Sequence, residues 1–152
     1  MATKVRNRKV IETLKGISYK NNGLLLPEIV VDEARPNSSP LHNYFTWDDS
    51  EAAEKYRLVE ARELIAVCVE YLGEENKTEE RVFCSLSSDR AKKGGYRVLV
   101  DVLKNVSKRQ QLLDDALFEM NIFRKRFQRV RELVRVFSAM RAAEKKIRRK
   151  KK

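Results

Sequence analysis

The chain of 152 residues is long enough for one domain whose hydrophobic core needs neither disulfides nor metal, and its formal net charge is +11. No apolar run approaches the length of a membrane span, and charges interrupt the first 20 residues every two or three positions, so we expect a soluble intracellular protein without a secretory signal. The two cysteines, Cys68 and Cys84, lack a metal-ligand spacing, which argues against a structural zinc site and for free thiols.

The basic charge is concentrated at the two ends of the sequence. Residues 1–20 carry a net charge of +5 and residues 141–152 a net charge of +7, whereas the 120 residues between them sum to about −1. Runs of like charge rarely pack, so we predict a single domain over residues 1–140 and a solvated basic tail over residues 141–152. Both basic ends are expected to serve as solvated arms that meet polyanions, most often nucleic acid. The alternatives are a terminus that only improves solubility and a short nuclear-import signal.

Two short helices are predicted near the N-terminus. The first ends at the Asn-Asn-Gly sequence of residues 21–23, and the second begins at Pro27 and ends before Pro36. Together they form either a plain helical hairpin, which is the commoner arrangement, or a helix-turn-helix that reads a DNA groove. The first helix is indicated by apolar side chains at Val10, Ile11, Leu14 and Ile17.

The segment SSPLHNYFTWDD (residues 38–49) contains the only histidine, the only tryptophan and two other aromatic residues. Aromatic rings can stack on the bases of single-stranded nucleic acid, but such surfaces normally include Arg or Lys, and this segment has none and ends in two aspartates. We therefore predict a plug, in which Leu41, Phe45 and Trp47 pack under the second and third helices. His42 has no partner residue for a metal or a nucleophile, and we interpret it as structural.

A third helix is predicted over residues 50–65, with Asp48 and Glu51 as a start resembling a capping box. The sequences AVCVEYL and RVFCSLS then read as strands of a hairpin around the acidic loop GEENKTEE. If the numbers of paired residues sum to 152, Cys68 lies opposite Cys84, close enough for a cross-strand disulfide under oxidation. Two small apolar fillers are the default interpretation, and a redox switch is the alternative.

The sequence SSDRAKKGGYRVLV predicts a mobile polar loop, after which a third short strand could follow at residues 96–98. Its two adjacent glycines, with Lys92, Lys93 and Arg97, could contact phosphate, although no phosphate-loop or dinucleotide-binding pattern is present.

From Val106 onward the sequence predicts one helix that continues nearly to the end, with Ser107 and Gln110 as a capping box. Thirty-odd residues at about 1.5 Å each make a rod of roughly 50 Å, longer than so small a body needs. Its apolar stripe must therefore contact another chain or a fold-back partner, and we expect a homo-oligomer formed through this helix. The stripe comprises Leu113, Ala116, Leu117, Met120, Phe123, Phe127, Val130, Val134, Phe137 and Met140.

The polar side of the same helix carries an excess of positive charge that continues into the basic tail, so helix and tail together form a basic ridge suited to a polyanion. The candidate nucleic-acid-binding residues at the two ends of the chain are Lys4, Arg6, Arg8, Lys9, Arg124, Lys125, Arg129, Arg131, Arg135, Arg141, Lys145, Lys146, Arg148, Arg149, Lys150 and Lys151.

The sequence LLLPEIVVDEARPNSSPLHNYFTWDDSEAAEKYRLVEARELI, followed by GGYRVLVDVL, resembles an uncharacterised family of small basic proteins encoded by tailed bacteriophages and prophages. The likeness spans roughly residues 10–140, and the pieces SPLH, WDD and YR...AR.LI occur in order. The resemblance implies a phage-encoded protein that acts in the cytoplasm of the bacterial host or in the virion, and it implies no catalytic residues.

The predicted fold is α+β and mostly helical, with an N-terminal helical hairpin, a central helix, a small antiparallel β-hairpin and a long C-terminal helix. The predicted function is that of a non-enzymatic, oligomeric protein that coats or organises DNA, rather than RNA, through largely sequence-independent backbone contacts, with no cofactor, metal, membrane or small-molecule substrate. One alternative is a sequence-specific transcriptional regulator that uses the N-terminal helices. Others are an assembly protein that binds a protein partner through the long helix, and a nuclease using Asp48 or Asp49 with Glu75-Asn76-Lys77 in a predicted loop.

Overall fold

The structure is a computed structural model that describes residues 4–47, 51–72, 78–92 and 94–149. Within these residues it confirms the predicted fold class, because the chain is mostly helical and includes two small antiparallel sheets and a long helix toward the C-terminus. The chain divides into two compact units, a first unit of residues 1–109 and a second unit of residues 110–152, whereas the sequence predicts one domain that ends at residue 140.

The first unit begins with the predicted helical hairpin. The side chain of Asn7 caps its first helix by accepting a hydrogen bond of 3.0 Å from the Lys9 N–H. Asn22 and Gly23 then adopt φ values of 53° and 75°, the left-handed conformation that commonly ends a helix. Pro27 occupies the first turn of the next helix, where its missing N–H costs nothing. The helices of this unit are α1 (Arg8–Lys20), α2 (Pro27–Ala34), α3 (Glu51–Val67), α4 (Ser87–Arg90) and α5 (Leu99–Lys104).

A β-hairpin is present in the predicted region, but its second strand, Thr78–Arg81, lies mostly in the segment predicted as the acidic loop, and its register differs from the predicted one. Of the predicted strand RVFCSLS, Phe83–Cys84 pairs with Arg97–Val98 instead. The N–H of Val82 donates to the carbonyl oxygen of Cys68 at 3.1 Å, and Cys84 pairs with Arg97, so the two cysteines are not cross-strand neighbours. The register differs from the predicted one by two residues, and such a shift leaves every side chain on the same face. The pairs are β1 (Val69–Leu72) with β2 (Thr78–Arg81), and β3 (Phe83–Cys84) with β4 (Arg97–Val98).

Both cysteines are free thiols, and Cys68 is fully buried in the core, as expected for an apolar filler. Burial, with a smaller contribution from Glu70, raises the pKa of the Cys68 thiol to about 12. Burial also raises the pKa of Cys84 to about 11, and Asp89 adds to the effect. Thiols with such pKa values remain protonated near neutral pH, which disfavours the redox-switch alternative.

The aromatic segment is a plug, as predicted. Leu41 is fully buried and Phe45 is 8% exposed, and both belong to the main hydrophobic core. His42 is structural, because its Nδ1 lies 3.0 Å from the carbonyl oxygen of Ala34. The Trp47 indole donates to the carbonyl oxygen of His42 at 3.0 Å and stacks on the imidazole, with ring centroids 5.0 Å apart. The segment therefore closes the core of the first unit.

The predicted polar loop between β3 and β4 is tied to the core at several points. Arg97 donates two hydrogen bonds of 2.7 Å to the carboxylate of Asp89, so its guanidinium is already engaged within the protein. The backbone of Gly95 packs so closely on Leu24 that an added Cβ would lie 2.5 Å from the leucine Cδ1 atom. Lys93 lies outside the described residues.

The second unit is a fold-back pair of helices, so the prediction of one continuous rod is wrong. The chain leaves the helical conformation after Phe127 and forms a short 3-10 turn over Arg131–Leu133 before the next helix begins. Phe123 and Phe137 then meet across the pair, with ring centroids 6.2 Å apart, and Phe137 is 4% exposed. The helices are α6 (Val106–Phe127), which the sequence predicts from its first residue onward, and α7 (Val134–Arg149).

The basic tail and the capping residue at the start of α6 also differ from the predictions. The basic tail predicted from residue 141 is helical up to Arg149, because it continues the amphipathic face of α7. The capping residue of α6 is Asn105, whose side chain accepts a hydrogen bond of 3.0 Å from the Lys108 N–H, and Ser107 lies inside the helix. The capping residue predicted for α3, Asp48, lies outside the described residues.

Candidate nucleic-acid interface

The N-terminal basic segment is not the solvated arm that the sequence predicts. Val5 is 8% exposed, and its backbone forms an isolated parallel β-bridge with Cys68, just before β1. The Val5 N–H donates to the Val67 carbonyl oxygen at 3.0 Å, and the Val5 carbonyl oxygen accepts from the Val69 N–H at 3.1 Å. The flanking side chains, Lys4 and Arg6, both donate to one carboxylate, that of Glu79. Lys4 and Arg6 therefore hold the segment to the hairpin, and the Glu79 carboxylate that they share compensates one of their two positive charges.

The Glu79 carboxylate should give this attachment a pH dependence. Hydrogen bonds from Lys4 and Arg6 hold the pKa of Glu79 below its ordinary value of 4.5, so its contribution is present above about pH 4.5 and is lost as the pH falls through the folded-state value. We expect Glu79→Gln to speed amide hydrogen exchange at Val5 and Val69 at neutral pH, with little change elsewhere. Equal exchange in the two proteins would show that the ion pairs do not hold the segment.

Arg8 and Lys9 differ from these two residues, because they are exposed in the first turn of α1 and no carboxylate lies within ion-pair distance in the described part of the chain. Positive charge at a helix N-terminus opposes the helix dipole, so neither residue stabilises the helix by its charge. Both remain available to a polyanion.

Most of the net charge of the protein lies in the second unit. Residues 124–149 contain eleven basic residues and two acidic ones, which gives a net charge of +9. Arg148 donates to Glu144 at 2.8 Å, and this is the one ion pair found among the described residues of the segment. The exposed predicted residues here are Lys125, Arg129, Arg131, Arg135, Arg141, Lys145, Lys146, Arg148 and Arg149, whereas Arg124 is half-buried and Lys150 and Lys151 lie outside the described residues.

Helices α6 and α7 enclose a concave, cationic surface, which we call the basic groove. Its volume is about 490 Å³, and it is lined by Arg124, Arg141, Glu144, Lys145, Arg148 and Arg149. The structure thus brings together five of the predicted binding residues. A second hollow of about 340 Å³ shares Arg124 and Arg141 with the groove and also includes Lys125.

Arg124 is positioned before any ligand binds. Its guanidinium donates to the Asn121 side-chain oxygen at 2.6 Å, and the Asn121 amide in turn donates to the Leu117 carbonyl oxygen at 3.0 Å. This chain of hydrogen bonds fixes one guanidinium at the groove without a carboxylate partner. A planar guanidinium in this state is suited to a phosphate, whose oxygens accept two parallel hydrogen bonds.

The first unit contains a cleft of about 480 Å³ that the sequence did not reveal. Its lining includes Tyr44, Tyr56, Glu60 and Glu63 together with Lys4 and Arg6, so its charge is mixed. The Glu60 carboxylate is also engaged, because it accepts hydrogen bonds from the N–H and the hydroxyl of Thr46 at 3.0 and 2.7 Å. This cleft does not offer the uniform positive charge that a polyanion requires.

The described residues contain no group of three or more metal-ligating side chains and no helix apolar and long enough to cross a membrane. The acidic residues of the nuclease alternative, at positions 48, 49 and 75, lie outside the described ranges. The chain matches no protein-family model, and comparisons with curated proteins and with solved structures gave no significant match.

Proposed function

We propose that this protein binds DNA through the helical pair of the second unit, without enzymatic activity and without strong sequence preference. The observation that carries the proposal is the basic groove, where five cationic side chains face one carboxylate. Phosphates are the ligands that satisfy such a surface, because guanidinium and ammonium groups replace the counterions condensed on the DNA backbone. Contacts of this kind fix position on the duplex and carry little sequence information.

The geometry favours backbone binding over the groove-reading alternative. In a helix-turn-helix the second helix enters the major groove, and here that helix would be α2. The exposed side chains of α2 include Glu28, Asp32 and Glu33, which would meet the DNA phosphates with like charge. The N-terminal helical hairpin is therefore better explained as part of the core of the first unit.

The proposal extends to the oligomer and to the biological setting. Several copies on one DNA molecule would coat or organise it, because binding that reads no sequence can occur at every position. A phage-encoded protein that acts in the host cytoplasm or in the virion would fit this role, as the sequence resemblance implies. Recognition of an acidic protein surface is the second candidate, since the basic groove would attract carboxylates as well as phosphates.

Neutralising the basic groove should weaken DNA binding. In the triple variant Arg141→Gln, Lys145→Gln, Arg149→Gln, three exposed cations without ion pairs are removed from α7, and glutamine preserves the helix propensity. We expect the affinity for random-sequence duplex DNA at low salt to fall by roughly tenfold or more, because three phosphate contacts are lost. Fluorescence anisotropy with a labelled duplex measures the effect.

A matched control removes the same charge from the first unit. Lys55, Arg62 and Lys104 are exposed on α3 and α5, and their replacement by glutamine should change the affinity by less than about twofold if the groove is the site. Equal losses in the two triple variants would reduce the binding to a net-charge effect and contradict the proposal. A competition experiment distinguishes DNA binding from recognition of an acidic protein surface. If DNA is the ligand, unlabelled duplex should displace the labelled DNA more effectively than polyglutamate of equal charge concentration.

A further inference from the structure

Arg124 differs from its neighbours in the basic groove in how its side chain is held. It is half-buried, and its guanidinium donates to the Asn121 side-chain oxygen at 2.6 Å. Arg141 and Lys145 line the same groove, but they are exposed, and no hydrogen bond or ion pair holds their side chains within the described residues. Arg124 also lines the second hollow beside the groove, so its placement affects both concave surfaces.

The residue that holds Arg124 is unfavourable for the helix in which it lies. Asn121 is in the interior of α6, where asparagine is a poor helix former because its amide competes for backbone hydrogen bonds. The amide donates to the Leu117 carbonyl oxygen at 3.0 Å, one turn earlier, and its oxygen accepts from Arg124. Because a carbonyl oxygen only accepts and a guanidinium only donates, these partners fix which end of the amide faces each of them. The contact with Arg124 therefore accounts for a poor helix former at this position.

Glu144 is a competing partner for Arg124. It lines the basic groove, and it also lines a small pocket together with Asn121 and Arg124. Arg148 directs both of its hydrogen bonds, of 3.0 and 2.8 Å, to Glu144 Oε1, which leaves Oε2 without a partner in the described part of the chain. Over the same residues, Arg124 and Glu144 form no ion pair, although they share these surfaces. Such a pair would cancel a positive charge that the groove offers to a polyanion.

We propose that Asn121 is a positioning residue, which holds the Arg124 guanidinium toward a phosphate of the bound nucleic acid and away from Glu144. The inference rests on the proposed function and deepens it by naming the side chain that keeps this cation available. A neutral amide suits the task, because it fixes the guanidinium by a hydrogen bond and leaves the positive charge uncompensated. Guanidinium N–H groups that Asn121 does not use remain for phosphate oxygens. Without Asn121 the guanidinium can pair with Glu144, and the groove loses one of its five cations.

The variant Asn121→Ala removes the amide and changes no charge. We expect its affinity for a random-sequence duplex at low salt to fall by about five- to tenfold, because one cation is withdrawn from the DNA. For the same reason the slope of log K against log salt should become shallower by about 1, an effect that a purely structural role would not produce. Alanine is the better helix former, so loss of α6 does not account for these results, and circular dichroism verifies that the helix is retained.

The matched control is Ser138→Ala, which removes an exposed polar side chain from α7. It should leave the affinity unchanged within about twofold and should not alter the salt slope.

A second substitution identifies the group that captures Arg124. Glu144→Gln removes the one carboxylate that lines the groove and should by itself raise the affinity by about two- to threefold. In the Glu144→Gln background, Asn121→Ala should cost less than about twofold, because no carboxylate remains to pair with Arg124. The two single variants and the double variant thus form a cycle that measures the coupling between Asn121 and Glu144.

The triple groove variant separates failure of this inference from failure of the proposed function. If the triple variant binds DNA as tightly as the wild type, the proposed function and the inference fail together. If the triple variant loses affinity and Asn121→Ala does not, only the inference fails. An equal cost of Asn121→Ala in the two backgrounds, or an unchanged salt slope, would also overturn the positioning role.

Discussion

Replacing Phe137 with alanine is expected to destabilise the second unit by about 3–5 kcal/mol, the usual cost of truncating a buried phenylalanine. The side chain is 4% exposed and packs on Phe123, and it is one of two buried hydrophobic residues, with Leu117, among residues 110–149. A unit of this length has a free energy of unfolding of only roughly 2–6 kcal/mol. The substitution should therefore separate α7 from α6 and disperse the basic groove.

The effect can be followed by amide hydrogen exchange in α7 and by DNA affinity in the same sample. Val134→Ala is the matched control, because Val134 belongs to the same helix but is 56% exposed and should cost less than about 0.5 kcal/mol. If the basic groove is the binding site, Phe137→Ala should lose amide protection in α7 and DNA affinity together. Retained affinity in a variant whose α7 is fully exchanged would show that the charges bind without the groove.

Leu41→Ala should destabilise the first unit by about 2–5 kcal/mol, because the side chain is fully buried in the core that the aromatic segment closes. Urea unfolding followed by the fluorescence of Trp47, the only tryptophan, measures the change in the free energy of unfolding. The indole reports on the plug itself, since it stacks on His42 within the same segment.

Asn43 provides the control for this substitution. It lies in the short 3-10 helix His42–Tyr44, which directly follows Leu41, and its side chain is exposed. Asn43→Ala should change the free energy of unfolding by less than about 0.5 kcal/mol. Similar losses in the two variants would mean that the segment is stabilised by its backbone conformation and does not depend on the burial of Leu41.

Local patterns in the sequence were sufficient for features that neighbouring residues determine. Helix α1 follows from its apolar spacing and its Asn-Asn-Gly ending, and the start of α2 follows from Pro27. The plug was predicted from what the aromatic segment lacks, since no Arg or Lys separates its rings. In each of these cases the deciding residues lie within about one or two helical turns of each other.

Features that depend on distant residues were not predictable in the same way. The pairing of Lys4 with Glu79 joins residues 75 positions apart, so the local charge run falsely indicated a free arm. The hairpin register could shift by two residues without moving any side chain to the other face. The interruption after Phe127 contains neither Gly nor Pro, so no local signal in the sequence marks it. The packing of Phe123 against Phe137 in the fold-back pair compensates for the broken helix.

The candidate site was predicted residue by residue, but not its shape. Charge counting identified Arg141, Lys145, Arg148 and Arg149 as members of a tail, and the structure places them on a helix beside Arg124. A groove between two helices requires knowledge of the fold-back, which periodicity alone does not supply. The hydrogen bond from Arg124 to Asn121 was not predictable as a functional feature either. It matters because it holds the guanidinium at the groove, and the position of the groove depends on the fold-back.

The salt dependence of DNA binding tests the central claim most directly. We would measure the observed binding constant of the full chain for a random-sequence duplex between about 50 and 200 mM salt, alongside the triple groove variant. Five phosphate contacts predict a slope of log K against log salt of about −4 or steeper for the wild type, and a slope shallower by about 3 for the variant. No binding at the lowest salt, or identical slopes in the two proteins, would contradict the assignment of the basic groove as the DNA-binding site.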